Sequence, residues 1–225
     1  LYTNVLHLFE LAGMPLYTSE RLYGNYHLVV AGGHSTYNPE PMADFVDVFL
    51  IGEGEEAIVE ISEVVGKWKQ LPIDIEESRQ AAYERRLGLL RDLAGVEGVY
   101  VPRFYSVSYH NNGTIDGVSA TEGCVDTPVL KRIVKQLPPP MTNFIVPYVD
   151  VVHNRAAIEI MRGCTRGCRF CHAGMVTRPV RERTVEEITD AVRSIIEATG
   201  YEEVALLSLS SSDFAEIAPL VEAIN

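Results

Sequence analysis

Residues 157–174 read AIEIMRGCTRGCRFCHAG, an apolar run followed at once by a cysteine-rich loop. The run over 157–161 predicts a buried strand. The loop places three cysteines within eight residues: Cys164, Cys168 and Cys171. Thiolates select zinc, copper(I) or iron–sulfur clusters, and the intervening glycines let a backbone wrap closely around such a centre. The sequence therefore predicts a soft-metal centre on the loop that follows this strand.

The segments after the loop continue in helix and strand order. Thr184 and Glu187 form a capping box, which predicts the start of a helix that Gly200 ends. Its apolar stripe comprises Ile188, Ala191, Val192, Ile195 and Ile196. A buried strand is expected over 203–209, then a turn over 210–213 and a further helix that starts near 218. Strand, helix and strand in this order predict a parallel α/β unit.

The first part of the chain also alternates between helix and strand signals. A helix is expected around residues 5–12, and buried strands over 27–31 and 46–51. Each strand ends in a glycine turn, which contains Gly32 and Gly33 after the first strand and Gly52 and Gly54 after the second. A helix with an apolar stripe follows, formed by Ala57, Ile58, Ile61, Val64 and Val65. This order predicts a parallel sheet covered by helices.

The middle of the chain has a different pattern. Residues 74–95 predict a charged amphipathic helix, and alternating segments over 104–110 and 114–120 predict a β-hairpin. The hairpin turn is Asn111-Asn112-Gly113. Three prolines at 138–140 indicate a stiff linker. We therefore expect three parts, over residues 1–70, 71–152 and 153–225.

The composition is that of a globular protein. The 225 residues are 47% hydrophobic and 22% charged, with a net charge of −12, which argues against a general nucleic-acid or membrane binder. No signal peptide and no membrane-spanning segment are apparent, so we expect a cytoplasmic protein without a membrane partner. Because the chain begins with Leu1 and ends in an apolar pattern, we expect it to be part of a longer protein.

Charge is unevenly distributed along the chain. Residues 1–64 hold ten acids and one base, Arg21, whereas residues 151–183 hold seven arginines and two glutamates. Arg178, Arg181 and Arg183 are therefore candidates for binding a phosphate or carboxylate. The alternative is a solvated basic turn beside the next helix.

Three kinds of centre are compatible with the cysteine loop. A structural zinc or closed iron–sulfur module needs a fourth ligand, for which His172 or the separate Cys124 is available. The segment 168–172 also spells C-x-x-C-H, the attachment pattern of c-type haem. The third is a [4Fe–4S] cluster held by Cys164, Cys168 and Cys171 alone. An inert buried group of cysteines does not explain their interleaving with arginine and glycine.

The spacing C-x3-C-x2-C after a strand, with Phe170 before the last cysteine, resembles the radical S-adenosylmethionine (SAM) superfamily. The resemblance implies that the three cysteines bind three irons of a [4Fe–4S] cluster. It further implies that the open fourth iron is chelated by the amino and carboxylate groups of SAM. An electron from a donor such as flavodoxin or ferredoxin then cleaves SAM to methionine and a 5′-deoxyadenosyl radical.

In this superfamily a Gly-Gly-Glu-like turn after the second strand meets the SAM amino group. The matching positions here are Ser210, Ser211, Ser212 and Asp213, which depart from that pattern. The resemblance makes these four residues and Phe170 candidates for SAM contact. The alternative reading of 210–213 is a plain N-cap of the following helix.

Residues 154–183 are similar to an uncharacterised subgroup whose members carry an N-terminal cobalamin-binding-like domain. This resemblance implies that 1–70 is the C-terminal part of a Rossmann-like domain. It also makes cobalamin a further candidate cofactor, approached by Gly32, Gly33, Gly52 and Gly54, although these are equally explained as tight-turn glycines. The cobalt-ligating D-x-H-x-x-G motif is not found in the chain.

The expected architecture is thus α/β: a cobalamin-binding-type remnant, an α+β connector with a hairpin, and the start of a radical SAM (β/α) partial barrel. Only two barrel strands are expected before residue 225, and the substrate would be selected by later strands. We therefore expect the 225 residues alone to bind a cluster without productive turnover of SAM.

Overall fold

The computed structural model describes residues 2–72, 78–123, 125, 127–149 and 151–224. The chain divides into two compact units, Leu1–Val134 and Lys135–Asn225. Each unit has its own hydrophobic core. The three-part division expected from the sequence stays a prediction.

The first unit combines helices with a small mixed sheet. Its helices are α1 (Tyr2–Leu11), α2 (Thr18–Arg21), α3 (Ala57–Lys69) and α4 (Arg79–Ala94). Its strands are β1 (Val30–Ala31), β2 (Val48–Leu50), β3 (Val99–Tyr100), β4 (Tyr105–Tyr109) and β5 (Ile115–Ala120). Short 3-10 helices cover His34–Tyr37, Glu40–Met42 and Pro102–Phe104.

The sheet order is β1-β2-β3. The predicted parallel pairing of the first two strands is confirmed, with Val30 opposite Val48. The expected all-parallel sheet is wrong in one respect, because β3 joins β2 in the antiparallel direction. In addition, β1 and β2 are connected through 3-10 helices rather than an α-helix.

The predicted strand over 27–31 is reduced to Val30–Ala31 because side chains bind the backbone before it. Arg86 donates to the carbonyl oxygens of Tyr26 at 3.1 Å and His27 at 3.3 Å. The amide of Val29 donates to Asp47 Oδ2 at 2.9 Å. Side chains therefore satisfy backbone groups that a longer strand would have paired with a neighbour.

Arg21, Asp47 and Arg86 form a buried ionic network that no local sequence pattern indicates. Asp47 Oδ2 lies 3.4 Å from an Arg21 guanidinium nitrogen and 3.3 Å from one of Arg86. Arg21 also donates to the carbonyl oxygens of Pro15, Leu16 and Phe45. Removing one partner of such a buried network leaves an uncompensated charge, which typically costs about 3–5 kcal/mol.

Helices α3 and α4 pack in one core with β2 and β3. Ala57 and Ile61 are buried as the predicted stripe requires, and the core also contains Leu87, Leu90, Leu93, Val48 and Val99. Ile58 was expected in that stripe, but it is 50% exposed. The predicted charged helix is confirmed from Arg79, with the Ser78 hydroxyl accepting the amide of Ala81. Residues 74–77, where that helix was expected to begin, lie outside the described residues.

The predicted β-hairpin is confirmed as β4 and β5, which pair antiparallel from Tyr105 opposite Ala120. Gly113 in the turn has φ +83°. The amide of His110 donates to the carbonyl oxygen of Thr114 at 2.8 Å and closes the turn.

The backbone around position 52 leaves room only for glycine. Its φ is +116°, and a Cβ atom there would lie 2.2 Å from the carbonyl oxygen of Arg132. That carbonyl accepts the amide of Glu53 at 3.1 Å, and the amide of Arg132 donates to the carbonyl of Ile51 at 2.8 Å. The close approach expected here for a corrin is thus made by the chain itself, which gives no support to cobalamin.

Gly33 serves as a turn residue, with φ +97°. The Thr36 hydroxyl donates to the carbonyl oxygens of Gly33 at 2.7 Å and Leu50 at 2.8 Å, which ties the first glycine turn to the end of β2. Cβ atoms added at Gly32 and Gly33 would have no heavy atom within 4 Å.

The second unit is a βαβ arrangement with a small antiparallel pair beside it. Its elements are β6 (Ala156–Glu159), β7 (Met161–Arg162), α5 (His172–Val176), β8 (Arg181–Glu182), α6 (Val185–Thr199), β9 (Val204–Leu207) and α7 (Ile217–Ile224). β6 and β9 pair parallel from Ala156 opposite Val204 to Glu159 opposite Leu207, as the pattern predicts. The strand predicted over 157–161 is instead two short strands, because the chain leaves β9 and pairs antiparallel with β8.

The predicted capping box at the start of α6 is confirmed. Thr184 Oγ1 accepts the amide of Glu187 at 3.1 Å, and the Glu187 carboxylate accepts the amide of Thr184 at 3.0 Å. Gly200 ends the helix with φ +72°. Most of the predicted stripe is buried, but Ile196 is 39% exposed.

Among the described helices, none combines the length and apolar character needed to cross a membrane.

Replacing Gly52 with Ala tests whether this glycine is structural. A Cβ atom at this φ, against the Arg132 carbonyl, is expected to lower the free energy of unfolding by at least about 1–3 kcal/mol. Urea denaturation measures the loss. Gly32→Ala is the matched control and should unfold near wild type, since its added Cβ meets open space. Equal midpoints for the two variants would contradict this assignment.

Candidate metal centre

The cysteine loop connects β7 to α5 in the second unit. Cys164 is buried, Cys171 is partly buried and Cys168 is exposed, and all three are free thiols. The loop thus carries one anchored cysteine near the core and two that reach toward its surface. Three soft donors without disulfides fit a thiolate-bound metal centre.

Two glycines shape the start and end of the loop. Gly163 has φ +93°, and a Cβ atom there would lie 2.8 Å from the carbonyl oxygen of Pro179. A Cβ atom on the buried Gly174 would lie 3.4 Å from Cys171 Sγ and 3.8 Å from Cys164 Cβ. Glycine at 174 therefore lets the first and third cysteines approach the same point of the backbone.

Backbone amides point toward two of the sulfur atoms. The amide of Arg166 donates to Cys164 Sγ at 3.5 Å, and the amide of Gly174 donates to Cys171 Sγ at 3.3 Å. Around iron–sulfur clusters, hydrogen bonds to sulfur tune the reduction potential.

The arginines that follow the loop bind the backbone around it. Arg178 Nε donates to the carbonyl oxygen of Cys164 at 3.2 Å, and Arg181 Nε to that of Pro179 at 3.2 Å. Arg183 is buried and donates to the carbonyl oxygen of Glu159 at 2.8 Å. The solvated-turn reading is therefore wrong for Arg183. Its burial also removes it from the expected open anion site.

An ion pair joins the turn after β9 to the cysteine loop. Arg166 donates to both carboxylate oxygens of Asp213, with Nε 2.7 Å from Oδ2. Ser210 Oγ donates to the same carboxylate at 2.7 Å. These hydrogen bonds, Arg166 first, lower the pKa of Asp213 to about 2. The pKa of Arg166 is raised mainly by Asp213, with smaller contributions from Cys164 and Cys168.

Sequence reasoning missed the role of Arg166, although it singled out Asp213. The available signal was an arginine between two cysteines and an acid after the next strand. No spacing rule links two residues that lie 47 positions apart, so only the fold brings them together.

The serines before Asp213 are held by one another. The hydroxyls of Ser208 and Ser211 are 2.8 Å apart, and the amide of Ser210 donates to Ser208 Oγ at 3.2 Å. Residues Ser211–Asp213 form a 3-10 helix, whereas α7 begins at Ile217. The alternative reading of this turn as the N-cap of the next helix is therefore wrong.

Phe170 lies within the cysteine loop, and His172 directly follows Cys171. Phe170 is 91% exposed, and His172 begins α5. Cys124 lies outside the described residues.

The three thiolates have the donor chemistry of an iron–sulfur cluster. Over the described ranges, no three His, Cys, Asp or Glu side chains converge to hold one ion. Zinc needs thiolates about 2.3 Å from a common point. In an iron–sulfur cluster each thiolate binds its own iron, so wider spacing is required. Three features fit such a cluster: the three thiol donors, the close approach of Cys164 and Cys171 to Gly174, and the backbone amides directed at sulfur.

Two family models match the chain. The model for the N-terminal part of radical SAM proteins matches residues 1–102, and the model for the radical SAM superfamily matches residues 158–225, which include all three loop cysteines. The chain belongs to the radical SAM superfamily. An iron–sulfur cluster and SAM are characteristic of this superfamily.

A curated relative of this radical SAM protein is the tRNA-2-methylthio-N(6)-dimethylallyladenosine synthase of Prosthecochloris aestuarii (strain DSM 271 / SK 413). The two are 27% identical over 198 residues, which cover 84% of this chain and 41% of the relative. The chain thus spans about two fifths of the relative's length. No solved structure matches the chain. Neither family model names a cobalamin-binding domain.

The titration of Asp213 tests the ion pair to Arg166. The folded-state pKa of Asp213 is lowered to about 2. The ion pair therefore contributes fully to folding stability above the unfolded-state pKa of about 3.9, and this contribution is lost as the pH falls toward 2. Arg166→Gln should raise the pH midpoint of the Asp213 titration, which is measured from the chemical shift of its carboxyl carbon by NMR. Arg193→Gln, which removes the partner of Asp190 instead, should leave it unchanged. An unshifted midpoint in Arg166→Gln would show that the pair does not form.

Proposed function

We propose that Cys164, Cys168 and Cys171 hold a [4Fe–4S] cluster with one open iron, at which SAM binds. The observation that carries this proposal is the three-cysteine loop after β7, within the segment that matches the radical SAM superfamily. When bound, the cluster supplies the electron that cleaves SAM to methionine and a 5′-deoxyadenosyl radical. The full-length protein is then a radical SAM enzyme.

The chain's own residues contribute by holding the loop and by placing positive charge beside it. The amides of Arg166 and Gly174 donate to sulfur and offset the charge of the thiolates. The Arg166 guanidinium adds positive charge near Cys164 and Cys168. Arg178 fixes the backbone at Cys164 and Thr165, so the first cysteine keeps its position.

The turn Ser210–Asp213 is proposed to contact SAM. Its tie to Arg166 supports this placement, because the ion pair brings the turn to the cysteine loop. Asp213 is ionised at neutral pH, since its pKa is about 2, and a carboxylate suits the SAM amino group. The exposed ring of Phe170 offers an apolar face beside the second and third cysteines.

The substrate of the relative is not carried over to this chain. The relative is named for a tRNA product, but the match covers 41% of its length. The net charge of −12 opposes attraction to a phosphate backbone. We propose instead an unspecified substrate, a flavodoxin- or ferredoxin-type electron donor and a cytoplasmic location.

Anaerobic reconstitution of the full chain with iron and sulfide tests the three ligands. Wild type should bind about four irons, whereas Cys164→Ala, Cys168→Ala and Cys171→Ala should each lose most of them, because every thiolate binds a separate iron. Cys124→Ala is the matched control and should retain the wild-type iron content. Iron and sulfide are measured chemically, and the reduced cluster by EPR.

The same samples separate this proposal from a zinc module. A structural zinc site contributes its binding energy to folding, so a chelator would unfold the chain. We expect circular dichroism after chelation to retain the secondary structure. Loss of iron in Cys124→Ala as complete as in the other variants, or unfolding on zinc removal without iron uptake, would overturn the open-iron proposal.

A further inference from the structure

The first unit contains a cleft that the proposed cluster chemistry does not use. Its volume is about 680 Å³, within the range typical of small-molecule sites. It lies between α3, α4 and the segment 24–28 that precedes β1. The glycine turns follow the other, carboxyl ends of β1 and β2, so the cleft is separate from the site expected there for cobalamin.

The apolar part of the cleft has an aromatic wall formed by Trp68. Trp68 is the chain's single tryptophan, and its indole nitrogen donates to Asp92 Oδ2 at 2.9 Å. Its ring lies against Gly88, where a Cβ atom would be 2.5 Å from the indole. Aliphatic side chains complete this wall, namely Ile58, Ile61, Val65 and Leu89.

All formally charged side chains that line the cleft are cationic. They are Lys69, Arg85 and Arg86, and no Asp or Glu is found among the described lining residues. Residues 1–64 carry ten acids, but the part of the lining that they supply, between 24 and 62, contains none of them. Exclusion of carboxylates from one concave surface of an acidic unit favours an anionic ligand.

Arg86 gives the cleft a buried source of positive charge. Its side chain is 9% exposed, and its Nε atom has no hydrogen-bond partner among the residues that the structure describes. Asp47 is shared by Arg86 and Arg21, so one carboxylate faces two guanidinium groups. Burial lowers the pKa of Arg86 despite this neighbour, which reflects incomplete compensation of its charge.

We propose that this cleft binds a small organic anion with a flat, apolar body, its charged group facing Lys69, Arg85 and Arg86 and its body lying against Trp68. Aromatic carboxylates and phosphate esters share this chemistry. The apolar wall contributes affinity by burial, and the cations orient the anion.

The fluorescence of Trp68 reports binding directly, because no other tryptophan contributes. The probe is phenyl phosphate, compared with benzoate, uncharged benzyl alcohol and inorganic phosphate. We expect saturable changes with phenyl phosphate or benzoate that weaken as salt is added. Benzyl alcohol and inorganic phosphate should each bind at least about tenfold more weakly, since each lacks half of the recognition.

Two variants locate the binding without removing the buried network. Lys69→Gln should lower the affinity for phenyl phosphate about tenfold. Lys67→Gln is the matched control: it lies on the same helix but outside the cleft, and it should leave the affinity unchanged. Gly66→Leu should abolish binding by filling the cleft, since its added Cβ meets open space. Circular dichroism verifies that each variant is folded.

The proposal is overturned by absence of saturable binding, by equal affinity for benzyl alcohol, or by unchanged affinity in Gly66→Leu. A concentration-dependent shift of Trp68 emission together with a dimer in sedimentation would assign the cleft to a second copy instead. None of these measurements needs the cluster, so their outcome is independent of the proposed function.

Discussion

The parallel pairing of β6 with β9 is the constraint on which the candidate metal centre depends. Parallel strands end at the same edge of a sheet, and the register matches Glu159 with Leu207. The chain therefore leaves both strands in the same direction. The cysteine loop follows β6 after the short strand β7, and the Ser210–Asp213 turn follows β9, so Arg166 can reach Asp213.

Local sequence signals predicted the elements whose cause is also local. The capping box of Thr184 and Glu187, the hairpin turn at Gly113 and the cysteine spacing each depend on a few neighbouring residues. The parallel pairing of the second unit followed from the order of its elements.

The features that were missed depend on contacts between distant residues. Asp47 meets Arg21 and Arg86, which lie 26 and 39 positions away, and these contacts shorten the first strand. The backbone of Arg132 explains Gly52, for which the sequence left a ligand contact and a tight turn equally open. The resemblance to radical SAM proteins made the Ser210–Asp213 turn a candidate for SAM contact. Its ion pair with Arg166 of the cysteine loop is visible only in the folded structure. No spacing rule in a single sequence links residues that lie so far apart.

The arginines over 151–183 make contacts within the fold that their sequence does not indicate. The arginines over 151–183 suggested an anion site, yet Arg183 is buried and Arg178 binds the loop backbone. Arg166 is paired with Asp213 beside the cysteines. The positive charge of this segment thus supports a thiolate-rich loop, which is consistent with a centre of negative charge.

The most direct test of the central claim is Mössbauer spectroscopy of the chain reconstituted with ⁵⁷Fe, before and after addition of SAM. Three cysteine ligands leave one iron of the [4Fe–4S] cluster without a thiolate. We predict that SAM shifts the signal of about one quarter of the iron toward that of a site with nitrogen and oxygen ligands. Four equivalent irons that do not respond to SAM would contradict the account.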